Sequence, residues 1–238
     1  MDKPVTFLSP EIVLLRVGFS NSALVVNGHN SILIDTGVGE HLQQFISLFT
    51  KHNLAPADIR LIVLTHTHYD HTGNLHELVK LTGAKVIVHK NEFKNLKNGF
   101  TPIPKGVVLK TRIVSRLGKW FTPKYASPKP FTADLVNKGE FNLKEFKIDG
   151  KIISTPGHTN GSQSVLIGKK LIAGDTFLNL KDGTVFPIFA SQPKILLKTW
   201  QTIFDLGVDE IYPGHGQKIK VKDVFPEFNR WKKKLKVL

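Results

Sequence analysis

The chain has 238 residues, no cysteine and a formal charge of +14 at pH 7, from 33 Lys and Arg against 19 Asp and Glu. Without thiols there is neither a disulfide framework nor a thiolate metal ligand, and no run of about 18 apolar residues is present to span a membrane. The start, Met1-Asp2-Lys3-Pro4-Val5, lacks a basic segment followed by an apolar stretch, so the protein is expected to be cytoplasmic.

Residues 12–17, 23–26 and 32–35 read as strands of an opening meander, with Asn27-Gly28-His29-Asn30 as the turn between the second and third. His29 is expected in solvent. Residues 40–52 carry Leu42, Phe45, Ile46 and Phe49 at helical spacing. Pro56-Ala57-Asp58 opens the next element, and residues 59–64 form an apolar strand. It runs directly into Thr65-His66-Thr67-His68-Tyr69-Asp70-His71.

Residues two apart in an extended chain point the same way. His66 and His68 can therefore reach one ion from one side. Asp70 and His71 come next, where Thr72-Gly73 starts a turn, so they can address a second ion nearby. Neutral imidazole and carboxylate are ordinary zinc ligands.

Residues 73–81 predict a helix with Leu75, Leu78, Val79 and Leu81 inward, and residues 85–88 a strand ended by His89. His41, His52, His76 and His89 read as structural or exposed. Residues 90–147 then break the alternation with five prolines, and hold 13 Lys and Arg against 4 Asp and Glu. Phe93, Phe100, Trp120, Phe121, Tyr125 and Phe131 lie among the cations. The stretch reads either as a solvated basic face whose aromatics pack on the body, or as a mobile cover that grips a substrate.

Residues 146–151 predict a hairpin, and 152–154 lead to Pro156-Gly157-His158. Strands at 164–167 and 170–173 are expected to pair, the second ending at Gly174-Asp175. A helix at 195–204 and a strand at 210–212 precede Pro213-Gly214-His215. Phe228, Trp231, Leu235 and Leu238 form one face of a C-terminal helix at about 223–238, with lysines opposite. Tyr212 reads as structural. A carboxylate such as Asp175 can bridge two ions, and a pair roughly 3.5–4 Å apart holds a hydroxide between them. The candidate ligands run from residue 66 to residue 215 with no linker or low-complexity tract between them. Residues 1–238 are therefore expected to be a single domain.

The chain resembles a metallo-β-lactamase superfamily hydrolase. The residues that carry the resemblance are the block at 65–71, Thr155-Pro156-Gly157-His158-Thr159, Ala173-Gly174-Asp175-Thr176-Phe177, Tyr212-Pro213-Gly214-His215-Gly216, and Ile32-Leu33-Ile34-Asp35-Thr36-Gly37. The resemblance implies an α/β, four-layered αβ/βα sandwich, with 90–147 as an inserted basic lid. It implies one metal on His66, His68 and His158, a second on Asp70, His71 and His215, and Asp175 between them. Asp35 is expected to bond a ligand or a neighbouring backbone group, and Asp70 to orient the hydroxide. Tyr69, Trp120 and Phe121 are candidates for the substrate pocket.

The resemblance implies a two-metal hydrolase in which a metal-bridging hydroxide cleaves a small ester, lactone or thioester. The ions are expected to be zinc, with iron or manganese as alternatives. The aspartate at 175 is more like the glyoxalase II and lactonase branches than the β-lactamases. The short C-terminus is expected to leave no room for a helical glutathione-binding domain, and with the long lid this would set the chain apart from glyoxalase II. Two other readings stay open: a nucleic-acid phosphodiesterase, which the basic lid and tail would suit, and a mono-iron oxidoreductase similar to the superfamily's sulfur dioxygenases. The expected partner is a small molecule, anionic in view of the charge. No membrane role is expected, nucleic acid stays open, and no feature fixes an oligomeric state.

Overall fold

The computed structural model describes residues 10–101, 105–107, 111 and 128–237. β1 (Glu11–Val17) and β2 (Ser20–Val26) form an antiparallel hairpin in which Val17 pairs with Ser20. The turn is only Gly18-Phe19, and Gly18 at φ 68° supplies the left-handed residue that a two-residue hairpin requires. β3 (Ser31–Ile34) continues the meander. From there the pairing turns parallel through β4 (Ile59–Val63), β5 (Lys85–His89) and β6 (Leu135–Asn137). Parallel neighbours need a crossover. These are supplied by α1 (Leu42–Lys51), by α2 (Tyr69–Thr72) with α3 (Leu75–Thr82), and by a segment that opens with α4 (Lys90–Lys97).

The second sheet has the order β12-β11-β10-β9-β8-β7. Its strands are β7 (Glu140–Asn142), β8 (Lys151–Ser154), β9 (Gln163–Ile167), β10 (Lys170–Asn179), β11 (Glu210–Gly216) and β12 (Ile219–Lys220). Only β10 and β11 pair in parallel, joined through α5 (Pro193–Asp205), and α6 (Phe225–Leu235) closes the chain.

Strand alternation divides the apolar side chains among three cores. On β3, Ile32 and Ile34 face the opposite sheet, where Ile152, Val165 and Ile172 meet them. Leu33 faces outward, onto a core with Phe45, Leu48 and Phe49 of α1 and Leu75 and Leu78 of α3. On the far side, Leu166 and Leu171 pack with Leu196, Leu197 and Trp200 of α5 and Phe228 and Trp231 of α6. Helix, sheet, sheet and helix give the expected four-layered αβ/βα sandwich. Among the described residues no helix is long and apolar enough to cross a membrane.

Three sequence expectations need correction. Residues 90–97 and 135–142 of the stretch read as a lid form α4, β6 and β7, elements of the body. The two strands are three residues long each, too short to show alternation. The expected hairpin at 146–151 is instead β7 joined to β8 across residues 143–150, with a 3-10 turn at Leu143–Phe146 whose Leu143 and Phe146 enter the inter-sheet core. β10 does not end at Ala173 but runs on to Asn179. Trp120 and Phe121 lie outside the described residues.

Candidate metal centre

His66 and His68 follow the buried end of β4, and Asp70 and His71 sit on the single turn of α2. His158 comes from the turn after β8. Asp175 and His215 lie within β10 and β11, not in loops beyond strand ends. The β10–β11 register shifts between Ile172 and Gly174 and again between Gly174 and Leu178. Such irregularities re-aim a side chain without ending the strand, and here they bring Asp175 to the others.

All seven side chains converge, as two groups whose donor atoms lie within 4.8 Å of one another: His66, His68, His158 and Asp175, and Asp70, His71 and His215. In the first group His68 Nδ1 is 2.9 Å from His66 Nε2 and 3.1 Å from His158 Nε2. In the second, His215 Nε2 is 3.4 Å from Asp70 Oδ2, and His71 Nε2 is 3.6 Å from the same oxygen. Asp175 spans the two. Its Oδ1 is 3.3 Å from both His71 Nε2 and His215 Nε2, while its Oδ2 is 3.5 Å from His158 Nε2. The other five histidines, His29, His41, His52, His76 and His89, belong to neither group.

Ring orientation is fixed from behind. His158 Nδ1 bonds the Phe189 carbonyl at 2.9 Å, and His215 Nδ1 the Phe19 carbonyl at 2.8 Å. His71 Nδ1 bonds Asp35 Oδ2 at 2.8 Å. Asp35 also accepts from the Thr65 amide and the Thr65 hydroxyl, both at 2.7 Å. It is thus a bracket between the two ends of the ligand block, not a plain turn aspartate.

Electrostatics separate the two groups. Burial drives His66 well below the ordinary imidazole value, helped by the neighbouring His71, His68 and His158. Burial likewise pulls His158 down to about 4. For His71 burial acts downward too, but Asp70, Asp175 and Asp35 outweigh it and raise the ring well above its ordinary value. His215 is only partly buried, and although its burial also acts downward, Asp175 and Asp70 lift it to about 10. Burial works against ionisation of Asp70 and Asp175, but the surrounding histidines hold both below the usual carboxylate range.

The donor set suits divalent cations. His71 Nε2 and Asp175 Oδ1 are buried and face each other at 3.3 Å without a well-formed hydrogen bond to any group, a spacing that a cation held between them would satisfy. Neutral imidazoles with ionised carboxylates are the donors that zinc, iron and manganese accept. Gly214 is required here, because a Cβ would overlap Asp175 Oδ1.

Several contributors carried no signal in the sequence. Buried Asn21 donates through Nδ2 to the carbonyls of Pro213 at 2.9 Å and Gly216 at 2.7 Å, pinning the His215 turn to β2. Asn74, also buried, ties Thr36 and Val38 to α3. Phe19 is half exposed; its ring lies parallel to that of His215 at 6.1 Å and meets Tyr69 edge-on, also at 6.1 Å. Tyr69 stands at the rim beside Asp70, partly exposed.

A sequence model of the metallo-beta-lactamase superfamily matches residues 15–215. A probable metallo-hydrolase of Methanocaldococcus jannaschii is 28% identical over 208 residues, 84% of this chain and 89% of that protein. The hydroxyacylglutathione hydrolase of Shewanella pealeana is 26% identical over 146 residues, 61% of this chain but 41% of its own length. In three dimensions the chain is similar to an archaeal metallo-beta-lactamase superfamily protein from Sulfolobus tokodaii, with TM-score 0.65 and 22% identity over 92% of this chain and 85% of that one. It is also similar to a subclass B3 metallo-beta-lactamase of Bradyrhizobium japonicum, with TM-score 0.66 and 18% identity over 96% and 92%. The match over most of the chain, with the two-sheet sandwich and the His/Asp clusters at one end of it, leads to one assignment: the chain belongs to the metallo-beta-lactamase superfamily, and with it to the metal-dependent hydrolases.

Proposed function

We propose that the protein is a two-metal hydrolase that cleaves a small ester, lactone or thioester, with zinc as the resident metal and iron or manganese as substitutes. The observation that carries this reading is Asp175, whose two oxygens face opposite groups of imidazoles. His66, His68 and His158 would hold one ion, Asp70, His71 and His215 the other, and Asp175 both. When bound, two divalent cations supply Lewis acidity at the scissile centre and lower the pKa of a water molecule to about 7.

The protein's own groups do the rest. The Phe189 and Phe19 carbonyls hold the Nδ1 protons of His158 and His215, so each ring offers Nε2 to the centre. Asp70 is kept ionised by His71 and His215; it accepts a proton-sharing bond from the attacking water and orients it. Tyr69 with Phe19 would form one wall of the substrate pocket. The charge of +14 favours an anionic substrate. The likeness to hydroxyacylglutathione hydrolase supports a thioester within the proposed class.

A second reading, phosphodiester cleavage in nucleic acid, draws on the 13 Lys and Arg against 4 Asp and Glu at residues 90–147. Elemental analysis joined to a chelator-sensitive screen separates the possibilities. Two ions per chain, with turnover of an ester, lactone or thioester that chelation abolishes and zinc restores, is the expected result. Cleavage of bis-p-nitrophenyl phosphate alone, with RNA binding that falls steeply with salt, would favour the nuclease. One iron per chain would move the protein to the dioxygenases. Asp175→Ala and His68→Ala are each expected to abolish turnover with the far-ultraviolet circular dichroism unchanged. Full activity in either variant would sink the assignment.

A further inference from the structure

Thr67 stands between His66 and His68, and alternation sends its side chain away from theirs. Its hydroxyl donates a hydrogen bond to Oε2 of Glu92, on the first turn of α4. That carboxylate is only 2% exposed and takes no part in the chemistry described above. A buried acidic side chain is uncommon without a dedicated partner, and here the partner is the residue that separates two metal-ligand candidates.

The same turn of α4 leans on the loop that carries His158. A Cβ at Gly161 would lie 2.6 Å from Glu92 Cγ and 3.0 Å from the Glu92 amide nitrogen, so only glycine admits this approach. Asn91 Nδ2 donates to the Asn160 carbonyl at 3.0 Å. Asn160 Oδ1 in turn accepts from Gln192 Nε2, whose own backbone amide holds the Gly157 carbonyl at 2.9 Å. One helical turn therefore grips the strand end bearing His66 and His68 on one side and the loop bearing His158 on the other. These three imidazoles come from positions up to 92 apart in the chain and belong to one donor group.

Resting on the two-metal reading, we propose that Glu92 is a positioning residue, which through Thr67 on one side and Gly161 on the other sets the spacing of His66, His68 and His158 and so the affinity of that group for its cation. It touches no donor atom of the group and acts through its neighbours.

The test is a calorimetric titration of the metal-stripped protein with zinc, with the d–d spectrum under cobalt(II) as a second readout of ligand geometry. The unsubstituted chain is expected to take two ions. Thr67→Val, nearly isosteric, and Glu92→Ala are expected to weaken one of the two binding events about 10- to 100-fold, the usual effect of removing a group that orients a ligand, and to alter the cobalt spectrum. Glu92→Gln, which still accepts the Thr67 hydroxyl, is expected to retain the affinity. Two unchanged binding events in Thr67→Val and Glu92→Ala would overturn the proposal. So would an equal fall in both events accompanied by a lower thermal midpoint of the metal-free protein, which marks general destabilisation. A Glu92→Gln variant as impaired as Glu92→Ala would overturn the hydrogen-bond route. Failure of the unsubstituted protein to bind zinc at all is a different result, and it sinks the hydrolase reading itself.

Discussion

Asp35 occupies the left-handed region at φ 58°, which costs a non-glycine residue about 1–3 kcal/mol. Three hydrogen bonds to Thr65 and His71 keep it there. Asp35 Oδ1 accepts from the Thr65 amide and Oδ2 from both the Thr65 hydroxyl and His71 Nδ1, so Asn, with an NH2 in place of one oxygen, cannot keep all three bonds. Asp35→Asn is expected to lower zinc affinity and turnover about 10- to 100-fold, with the circular dichroism retained; unaltered zinc titration would contradict this role. A second expectation concerns protons. In the metal-free protein Asp70, Asp175 and Asp35 raise His71 well above the ordinary imidazole value, and Asp175 and Asp70 raise His215 to about 10, so both rings hold their protons more firmly. Ligands must shed those protons to bind a cation. Zinc uptake should therefore release protons, and apparent affinity should climb as pH rises from about 6.5 toward the folded value of His215. Calorimetry in buffers of different ionisation enthalpy measures the release. The convergence of the seven candidate ligands was legible because their blocks are local and chemically distinctive. Asn21 and Glu92 were not. Asn21 meets Pro213 across 192 positions and Glu92 meets Thr67 across 25, and nothing local marks either contact.

α5 shows how a helix serves the centre without entering it. Trp200 is fully buried, stacks on Phe177 with ring centroids 4.3 Å apart, and donates from Nε1 to the Thr176 carbonyl at 2.7 Å. Phe177 and Thr176 come directly after Asp175, so this contact holds the irregular middle of β10 against the helix. Trp200→Ala is expected to cost about 3–5 kcal/mol in urea unfolding and to weaken zinc binding as the strand relaxes. A loss under about 1 kcal/mol would mean that the site collapses without harm. The amphipathic helices were readable from their spacing, Leu42 to Phe49 and Phe228 to Trp231 included. The full length of β10 was not, because Gly174-Asp175 reads as a turn in sequence and only pairing with β11 carries the strand through it.

The centre is divided between the two sheets. His66, His68, Asp70 and His71 lie just past a strand of the first, and His158, Asp175 and His215 belong to the second. Cations bound there would join both halves and be lost on unfolding, which stabilises the native state by roughly 4 kcal/mol at a thousandfold excess over the dissociation constant. Stripping the metal is expected to lower the thermal midpoint by several degrees, and readdition of zinc to restore it; an unmoved midpoint would argue against ligands drawn from both sheets. The paired-sheet architecture was legible mainly through the resemblance, since no internal repeat is visible in the sequence although the two strand orders mirror each other. The order of the strands repeats but their pairing does not, with three of five described pairings parallel in the first sheet and one of five in the second. Among the described residues, all strands of the first sheet precede Lys138-Gly139 and all strands of the second come after it, although residues 105–107 already reach across to bond Ile188 and Ala190 and to pack Val107 in the outer core of the second half. A break at Lys138-Gly139 would sever no strand pairing and part no candidate ligand from its own sheet. The two pieces would then have to find each other through the apolar seam between them, and the capture of metal would report their reunion.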